Sequence, residues 1–406
     1  MKKLVRIIGR MNGGGPSRQV AYLHHELQDS FQTTLIVGRI DDGEEDMRYL
    51  LRDSTGVLEI PSMSRSVKGW SDLLSLLHVT CLLLRIKPDI VHTHTAKAGV
   101  IGRVAALIAG VPIRIHTYHG NVFRGYFGPT TTRLIILVER CLNLFTRRVI
   151  AISPSQADEL ATRFHVAQRE QVAILRTGFD LAPLLQLEPQ RAQARAQLGL
   201  TDEERLVVWA GRLVVIKNIP LLLDVVRLAG RIPRLKFLVV GDGPLRPAVE
   251  KASRDFGNLQ FLGWQQDMKP ILAAADIALL TSSNEGTPAF LIEAMAAGRP
   301  FVATAVGGVV DLAGPRPAKI AGNCRLGENG FLTSFDPQSI VPCLEKLLAE
   351  PELAAKMGAA AQRFSLANHG QERLLAELTQ LYQQLLSGSA GAPAAVLADP
   401  KQVVPL

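Results

Sequence analysis

Short apolar runs of strand length alternate with helix-forming segments along almost the whole chain, and this alternation constrains the fold more than any other sequence feature. Alternating strands and helices predict an α/β fold of parallel sheets with helices on both faces. In the first half, the predicted strands are Leu4–Ile8, Thr33–Val37, Asp89–His92, Ile113–Thr117, Val149–Ile152 and Val172–Leu175. The second half repeats the scheme, with strands predicted at Leu206–Ala210, Lys236–Val240, Leu259–Leu262, Ile277–Leu280 and Phe301–Thr304.

A break in this pattern marks a domain boundary, and 406 residues are many for one domain. We predict an N-terminal domain over residues 1–180, a linker over 181–204 that is rich in Arg, Gln and Ala, and a C-terminal domain over 205–370. A helix at 371–386 is expected to cross back to the N-terminal domain, and residues 387–406 are expected to be disordered. Two such domains would leave a ligand cleft between them, at the carboxyl ends of their strands.

Composition indicates the cellular compartment and the kind of partner to expect. Four cysteines without paired spacing form no zinc or disulfide pattern, which favours a reducing compartment. The first apolar run is broken by Arg6 and is too short for a signal peptide, and the longest internal runs fall short of the about 20 residues of a spanning helix. We therefore expect a cytoplasmic protein, and the net charge of +8 favours anionic partners such as phosphates, nucleotides or an acidic membrane surface.

Two cations follow the first strand of the second domain. Arg212 and Lys217 are five residues apart and come directly after the predicted strand Leu206–Ala210. A fixed Arg and Lys at this edge of a sheet can stabilise the negative charge of a departing diphosphate without a metal ion. The alternative is a pair of solvated loop cations, which the preceding strand and Pro220 in the next helix disfavour.

Glycines follow two predicted strands, as in loops that approach phosphate groups closely. Gly14 and Gly15 precede the first helix, and Gly241 and Asp242 follow the strand Lys236–Val240. The spacing around Gly14 is not the G-x-G-x-x-G fingerprint, which weakens a dehydrogenase interpretation. Asp242 could accept a hydrogen bond from a nucleotide, but an ordinary turn is the alternative at both places.

Two carboxylates flank the start of another helix. Glu285 stands before the helix that Pro288 opens, and Glu293 lies inside that otherwise apolar helix. Because an unpaired buried carboxylate is costly, sugar and ribose hydroxyls are natural hydrogen-bond donors to these two groups. The alternative is an acid at a helix start and a salt-bridged acid, since two glutamates at this separation are common by chance.

Four histidines lie at the ends of two neighbouring predicted strands or just beyond them: His92, His94, His116 and His119. Their spacing does not identify a metal site, and no cysteine or carboxylate stands near them, so we predict no metal ion. Three of them are interpreted as structural. His119, at the carboxyl end of its strand, is the candidate site residue.

Together these motifs resemble those of the retaining glycosyltransferases with two facing Rossmann-like domains, the B-type glycosyltransferase fold, and more narrowly the subgroup named for its Glu-x(7)-Glu signature. The stretch from His92 to Phe127 resembles members that build bacterial cell-surface polysaccharides. The resemblance implies a nucleotide diphosphate sugar as donor, a glycan or lipid-linked saccharide as acceptor, and neither cofactor nor metal ion.

The resemblance also assigns roles in the C-terminal domain. It implies that Arg212 and Lys217 hold the diphosphate, that Glu285 contacts the transferred sugar, and that Glu293 binds the ribose hydroxyls. The remaining donor-binding residues that we predict in this domain are Gly241, Asp242, Gly263, Trp264, Gly286 and Thr287.

In the N-terminal domain, the resemblance implies that Gly14 and Gly15 close over the donor phosphate and that His119 contacts the donor sugar. It implies front-side transfer, in which the leaving diphosphate assists deprotonation of the acceptor hydroxyl and no protein nucleophile is needed. Two other functions stay open: a nucleotide-sugar epimerase on the same architecture, and a non-catalytic protein that binds nucleotides or polyanions.

Basic residues greatly outnumber acidic ones between residues 97 and 148, where Glu139 is the one acid. Arg133, Arg140 and Arg147 are seven residues apart, so a helix would align them on one face. Peripheral contact with anionic lipid at the inner face of the plasma membrane is one interpretation, and an ordinary solvated helix face is the other. No nucleic acid partner is expected, because the stretch lacks interleaved aromatic residues.

Overall fold

The fold is described by a computed structural model, which covers residues 1–41, 44–51, 54–64, 66, 69–120, 123, 126–314, 318–319 and 324–388. The described chain separates into two compact units. The first unit comprises Met1–Phe179 together with the chain from Gln371 to the end of the last helix, and the second unit comprises Asp180–Gly370.

Each unit is built on one sheet. The strands of the first unit are β1 (Lys2–Ile8), β2 (Phe31–Gly38), β3 (Val57–Ile60), β4 (Ile90–His94), β5 (Ile113–Tyr118), β6 (Arg148–Ala151) and β7 (Val172–Ile174). The strands of the second unit are β8 (Arg205–Ala210), β9 (Leu235–Val240), β10 (Leu259–Gly263), β11 (Ile277–Leu280), β12 (Phe301–Thr304), β13 (Ala318–Lys319), β14 (Cys324–Leu326) and β15 (Gly330–Thr333).

The strand orders are those of doubly wound sheets. Over the described residues, the first sheet has the order β3-β2-β1-β4-β5-β6-β7 and is parallel throughout. The second has the order β10-β9-β8-β11-β12-β15-β14-β13 and is parallel except at β14, which pairs antiparallel with both of its neighbours.

Helices connect most of the strands. In chain order they are α1 (Gly15–Glu26), α2 (Gly69–Ile86), α3 (Ala96–Ile108), α4 (Pro129–Asn143), α5 (Pro154–Asp158), α6 (Arg191–Gln197), α7 (Ile219–Ala229), α8 (Arg246–Asp255), α9 (Lys269–Ala274), α10 (Ala289–Ala296), α11 (Val309–Leu312), α12 (Pro337–Ala349), α13 (Pro351–His369) and α14 (Gln371–Leu386).

Helices cover both faces of the first sheet, because neighbouring residues of a strand point to opposite sides. On β1, Leu4 packs in the same cluster as Leu23 of α1 and Leu378 of α14. The next residue, Val5, packs with α2 and α3 on the other face. Although α14 follows the second unit in sequence, it therefore completes the core of the first.

Strand β8 is buried within the second sheet. Trp209, which is 1% exposed, packs in one cluster with Leu222 of α7 and Leu344 of α12. Its indole nitrogen donates a 3.2 Å hydrogen bond to the Thr281 hydroxyl, directly after the neighbouring strand β11. The segments that follow β8 and β11 consequently leave the sheet side by side.

Every strand predicted from the sequence is present, with ends that differ by at most two residues. The sequence pattern misses β3, β13, β14 and β15. Helix α5 ends at Asp158, and a π-helical turn over Glu159–Arg163 follows it.

Residues 181–204 were expected to form a linker, but they belong to the second unit and contain α6. Arg191 and Arg195 bind the carboxylate of Asp276 at 2.7 and 3.4 Å. Polar contacts hold this segment to the unit, so an apolar pattern does not reveal it. Of the tail that was expected to be disordered, residues 389–406 lie outside the described residues.

Helix α2 is, within the described part of the chain, the one helix long and apolar enough to cross a membrane by length and composition. One such helix is weak evidence for a membrane span, because a helix that covers a sheet passes the same test. Helix α2 buries Ser75, Val79 and Leu83 against the first unit and exposes Trp70 and Leu77. Helix α2 therefore covers the sheet with one face and exposes apolar side chains on the other.

Candidate active site

Lys217 is held at the carboxyl end of β8 by the local backbone. After β8 the chain makes a single 3-10 turn, Val215–Lys217, and then enters the left-handed region at Asn218 with φ 52°. The Asn218 side chain caps α7 by accepting a hydrogen bond from the backbone N–H of Leu221. Lys217 therefore stands immediately before the cap of a helix, where its backbone has little freedom.

The ammonium group of Lys217 pairs with the carboxylate of Glu285. The two side chains are 16% and 11% exposed, so both remain in reach of a ligand. The Ser282 hydroxyl donates a 2.6 Å hydrogen bond to the same Glu285 oxygen, Oε1. Glu285 Oε2 makes no hydrogen bond within the described residues. The structure thus joins two residues that the sequence predicted separately.

Backbone contacts between the segments after β8 and β11 bring this pair together. The Thr281 hydroxyl donates to the Lys217 carbonyl at 3.1 Å, and the Ser283 N–H donates to the Ile216 carbonyl at 2.8 Å. Both contacts follow from the adjacency of β8 and β11 in the sheet. The geometry at Lys217 is therefore a consequence of strand order.

Two glycines allow backbones to meet at this edge. Gly241 has φ 137°, and a Cβ on it would lie 1.9 Å from the Gly211 carbonyl oxygen. Gly307 follows β12 with φ 46°, and a Cβ there would lie 2.0 Å from the Glu285 carbonyl oxygen. A side chain at either position would force the loops apart. The sequence reasoning identified Gly241 and missed Gly307, although Gly307-Gly308 after a predicted strand is the same signal.

Ser282 was also missed. It is fully buried, and its carbonyl accepts a 2.7 Å hydrogen bond from the Thr304 hydroxyl of β12. This contact fixes the serine from which Glu285 receives its hydrogen bond. A single serine after a strand carries no sequence signal, so only the structure shows its role in orienting Glu285.

Other predicted donor-binding residues of the second unit make contacts of their own. Arg212 is exposed, and its side chain makes no hydrogen bond or ion pair to any described residue. Asp242 accepts from the Gly243 N–H at 2.7 Å and pairs with Arg246 at 3.0 Å. The Gly263 carbonyl accepts a hydrogen bond from the Gly241 N–H, and Trp264 beyond it is 45% exposed.

Helix α10 carries the second glutamate of the motif. Gly286 and Thr287 are partly exposed and lead to Pro288, which precedes the helix as its N-cap residue instead of occupying its first turn. Most of α10 is buried, but Ala289 and Glu293, one turn apart, are partly exposed. Glu293 therefore lies on the accessible side of the helix, as a ligand-binding role requires.

Three candidate residues belong to the first unit. Gly14 precedes α1 with φ 153° and its N–H donates to the Met47 sulfur, and Gly15 is the first residue of the helix. His119 follows β5 and is partly buried. Burial lowers the pKa of His119 to about 3, and the positive charge of Arg6 adds to this effect, so the ring is neutral at pH 7.

The other three histidines are buried and hydrogen-bonded. His92 contacts the Tyr382 hydroxyl at 2.6 Å, and His116 contacts the Thr93 hydroxyl at 2.8 Å. Burial lowers the pKa of His92, His94 and His116 well below the usual value. In the described part of the chain, no three His, Cys, Asp or Glu side chains are grouped as metal ligands.

Two family models match the chain. The model "Glycosyltransferase Family 4" matches residues 13–183, and the model "Glycosyl transferases group 1" matches residues 204–350. Together the two matches span most of both units.

Among curated proteins, the UDP-Gal:alpha-D-GlcNAc-diphosphoundecaprenol alpha-1,3-galactosyltransferase of Escherichia coli is 30% identical over 269 residues, which are 64% of this chain and 68% of that protein. The capsular polysaccharide biosynthesis glycosyltransferase CapM of Staphylococcus aureus is 25% identical over 364 residues, 86% of this chain and 90% of its own length.

Solved structures share the architecture. Sucrose-phosphate synthase from Thermosynechococcus elongatus superposes with a TM-score of 0.77 at 21% identity, over 96% of this chain and 100% of its own. Anabaena Alr3699/HepE, solved in complex with UDP-glucose, superposes with a TM-score of 0.74 at 21% identity, over 94% of this chain and 99% of its own chain. The predicted fold class of two Rossmann-like α/β domains is confirmed.

Proposed function

Because the chain belongs to the group 1 glycosyltransferase family, we propose that it transfers a sugar from a nucleoside diphosphate sugar to an acceptor hydroxyl, with retention of configuration and without a metal ion. The observation that carries this proposal is the Lys217–Glu285 pair, placed at the carboxyl edge of the second sheet beside glycine loops. In such a pair, the cation can bind a diphosphate and the carboxylate can accept a hydrogen bond from a sugar hydroxyl.

The proposed chemistry needs no protein nucleophile. As the bond between the anomeric carbon and the diphosphate oxygen breaks, negative charge grows on the diphosphate, and the Lys217 ammonium stabilises it. The exposed Arg212 guanidinium supplies a second cation. The acceptor oxygen bonds to the anomeric carbon on the face that the diphosphate leaves, and the acceptor proton passes to the departing phosphate oxygen.

Glu285 acts in this scheme as a hydrogen-bond acceptor. Its Oε1 is occupied by Lys217 and Ser282, which leaves Oε2 to accept from a hydroxyl of the transferred sugar. A carboxylate that receives two donors on one oxygen is a weaker nucleophile than a free one, which favours positioning over covalent catalysis. Gly286, Thr287 and Glu293 then contact the rest of the donor.

The acceptor is proposed to be a glycan or lipid-linked saccharide of the bacterial cell envelope. Two relatives support this class by name: one transfers galactose to a diphosphoundecaprenol-linked sugar, and one takes part in capsular polysaccharide biosynthesis. The donor base stays open, although the HepE structures contain UDP and UDP-glucose.

The stereochemistry of the product tests the proposal. Incubation of the protein with UDP-galactose and an α-GlcNAc diphosphate lipid, in buffer with EDTA, should yield an α-linked disaccharide, because front-side transfer retains the configuration of the α-linked donor. Proton NMR of the product reads the linkage. A β-linked product would contradict retention, and activity that EDTA abolishes and Mg²⁺ restores would contradict metal independence.

The same incubation without acceptor separates the alternatives. Isomerised nucleotide sugar would indicate an epimerase. Binding of UDP and UDP-sugars, seen as a raised melting temperature without any turnover, would indicate a non-catalytic binding protein.

We also propose that the first unit contacts the cytoplasmic face of an anionic membrane. Glu139, the one acid between residues 97 and 148, is buried, so the surface of this segment carries no acidic side chain in its described part. Arg133 is exposed beside Leu134 and Leu137, which are 60% and 56% exposed. The predicted alignment of Arg133, Arg140 and Arg147 on one helix face is wrong, because α4 ends at Asn143 and Arg147 lies beyond it.

Helix α2 extends this surface. It packs against α3, which α4 joins through an ion pair between Arg103 and Glu139, so the three helices cover one side of the first unit. Apolar patches of this kind mark interaction surfaces, and the flanking cations suit anionic lipid. The exposed apolar residues of α2 are Trp70, Leu73, Leu74, Leu77 and Leu84.

Vesicle flotation tests the membrane contact. The protein should float with anionic vesicles at low salt, and Leu134→Asp with Leu137→Asp should weaken this binding by about tenfold or more, because each leucine buried in lipid contributes roughly 1.5 kcal/mol or more. Phe335→Asp, at a residue of the second unit that is 54% exposed, is the matched control. Equal flotation of all three proteins, or none with anionic vesicles, would refute the contact.

A further inference from the structure

Arg6 is a fully buried cation without a carboxylate partner among the described residues. It lies on β1, and its guanidinium NH1 donates a 3.1 Å hydrogen bond to the Val20 carbonyl of α1. Its NH2 lies 3.3 Å from Nε2 of His94 on β4, and its Nε is buried without a hydrogen bond. Burying a cation costs free energy because it loses its hydration, and the imidazole of His94 is the side chain that forms a hydrogen bond with this one.

His94 in turn contacts His119. Its Nδ1 lies 3.0 Å from Nε2 of His119, and the two ring centroids are 5.2 Å apart. The three side chains therefore form a row from the core of the first unit to its partly exposed histidine, in the order Arg6, His94, His119.

The donor properties of this row determine where each proton sits. A guanidinium has N–H donors and no acceptor, so His94 Nε2 must accept from Arg6. A neutral imidazole that accepts at one nitrogen carries its proton on the other. His94 Nδ1 therefore donates to His119 Nε2, and the proton of His119 must sit on Nδ1.

We propose that Arg6 and His94 are positioning residues that hold His119 as the neutral tautomer protonated on Nδ1, so that its ring offers a hydrogen-bond donor to a ligand oxygen. His119 Nδ1 makes no hydrogen bond within the described residues, and the ring is partly exposed. That the ligand is a sugar rests on the proposed function, whereas the tautomer does not.

Burial and the positive charge of Arg6 both oppose the protonation of His119. Arg6 on β1, His92 and His94 on β4 and His116 on β5 are the titratable groups in electrostatic contact with it, and no described carboxylate is among them. Hydrogen bonds in a row polarise one another, so the buried cation also strengthens the final N–H donor. His119 is therefore a donor at neutral pH and cannot serve as a general base through Nε2.

Nitrogen-15 NMR of the full-length protein with labelled histidine tests the tautomer, because protonated and unprotonated ring nitrogens resonate far apart. His119→Gln identifies the signals, and exposed His165 is the internal reference. We expect His119 to carry its proton on Nδ1 at every pH from 8 to 5. A proton on Nε2, or a charged ring at pH 6, would overturn the proposal.

Variants test the two positioning residues. His94→Phe should move the His119 proton to Nε2, the position that a neutral histidine favours in water, and Arg6→Met should allow both tautomers. Arg6→Lys keeps a charged donor and should restore Nδ1 protonation. Tyr382→Phe removes the partner of His92 from the same buried region and should leave His119 unchanged.

An unchanged His119 spectrum in His94→Phe would refute the positioning role even if Arg6→Met fails to fold. The measurement needs no substrate, so its outcome is independent of whether the protein transfers sugar. Conversely, a missing transferase activity would leave the tautomer assignment untouched.

Discussion

Lys217→Ala should lower the rate of sugar transfer by at least about a hundredfold, as the loss of a group that stabilises transition-state charge commonly does. Lys217 is the cation that the fold immobilises, because β8, a 3-10 turn and the α7 cap fix its backbone and Glu285 fixes its ammonium. Arg212 has no such support among the described residues, so it cannot replace the missing charge.

The measurement is kcat/KM together with UDP affinity. Lys217→Ala should weaken UDP binding as well as turnover, whereas Glu285→Gln should retain UDP binding and lose transfer, because the two side chains contact different parts of the donor. Lys251→Ala, at an exposed lysine of the same unit, is the control and should behave as the wild type. Near-normal turnover in Lys217→Ala would reject its role at the diphosphate.

Glu139→Ala should destabilise the first unit by about 3–5 kcal/mol, the usual cost of breaking a buried ion pair by removing one partner. Glu139 and Arg103 are joined at 2.7 Å, with side chains 4% and 2% exposed. Arg103 also donates to Asn143 at 2.9 Å, and the Tyr118 hydroxyl donates to Glu139. Without the carboxylate, the guanidinium of Arg103 would be buried and uncompensated.

Hydrogen exchange resolved along the sequence measures this effect, because it reports the first unit separately from the second. Protection in α3 and α4 should fall, and that of the second unit should not. The double variant Arg103→Met with Glu139→Leu should recover much of the loss, since it leaves no buried charge. Asp224→Ala breaks an exposed pair with Arg227 and should cost no more than about 1 kcal/mol. A similarly small effect for Glu139→Ala would contradict the argument.

Two of the strands that the sequence did not reveal, β3 and β14, are short and only partly buried. Strand β11, by contrast, is buried at all four positions and consists entirely of apolar residues, so it appears in the sequence as an apolar run. Strand β3 buries only Ile60 of its four residues, and β14 has three residues, of which Cys324 is buried. Strands this short and exposed gain their stability from pairing with a neighbour, which leaves little mark on local composition.

The candidate site shows the same division. Glycines and charges directly after apolar runs identified Lys217, Gly241 and Glu285, because the carboxyl ends of parallel strands share an edge. Ser282 was not identified, since its importance lies in its contact with the Glu285 carboxylate. Gly307, which meets the Glu285 backbone, follows a predicted strand as Gly241 does and was overlooked. The sequence did not reveal the buried ion pair of Glu139, because its partner lies 36 residues away, on another helix.

The sequence by itself determined the alternation of strands and helices, the division into two α/β halves and the approximate bounds of most strands. These are local properties, since the period of apolar residues reports burial directly. The tertiary structure decided which of these residues meet: Lys217 with Glu285, Arg103 with Glu139, and Arg6 with His94 and His119. Such pairs depend on the order and register of strands far apart in the chain, which no short window of sequence contains.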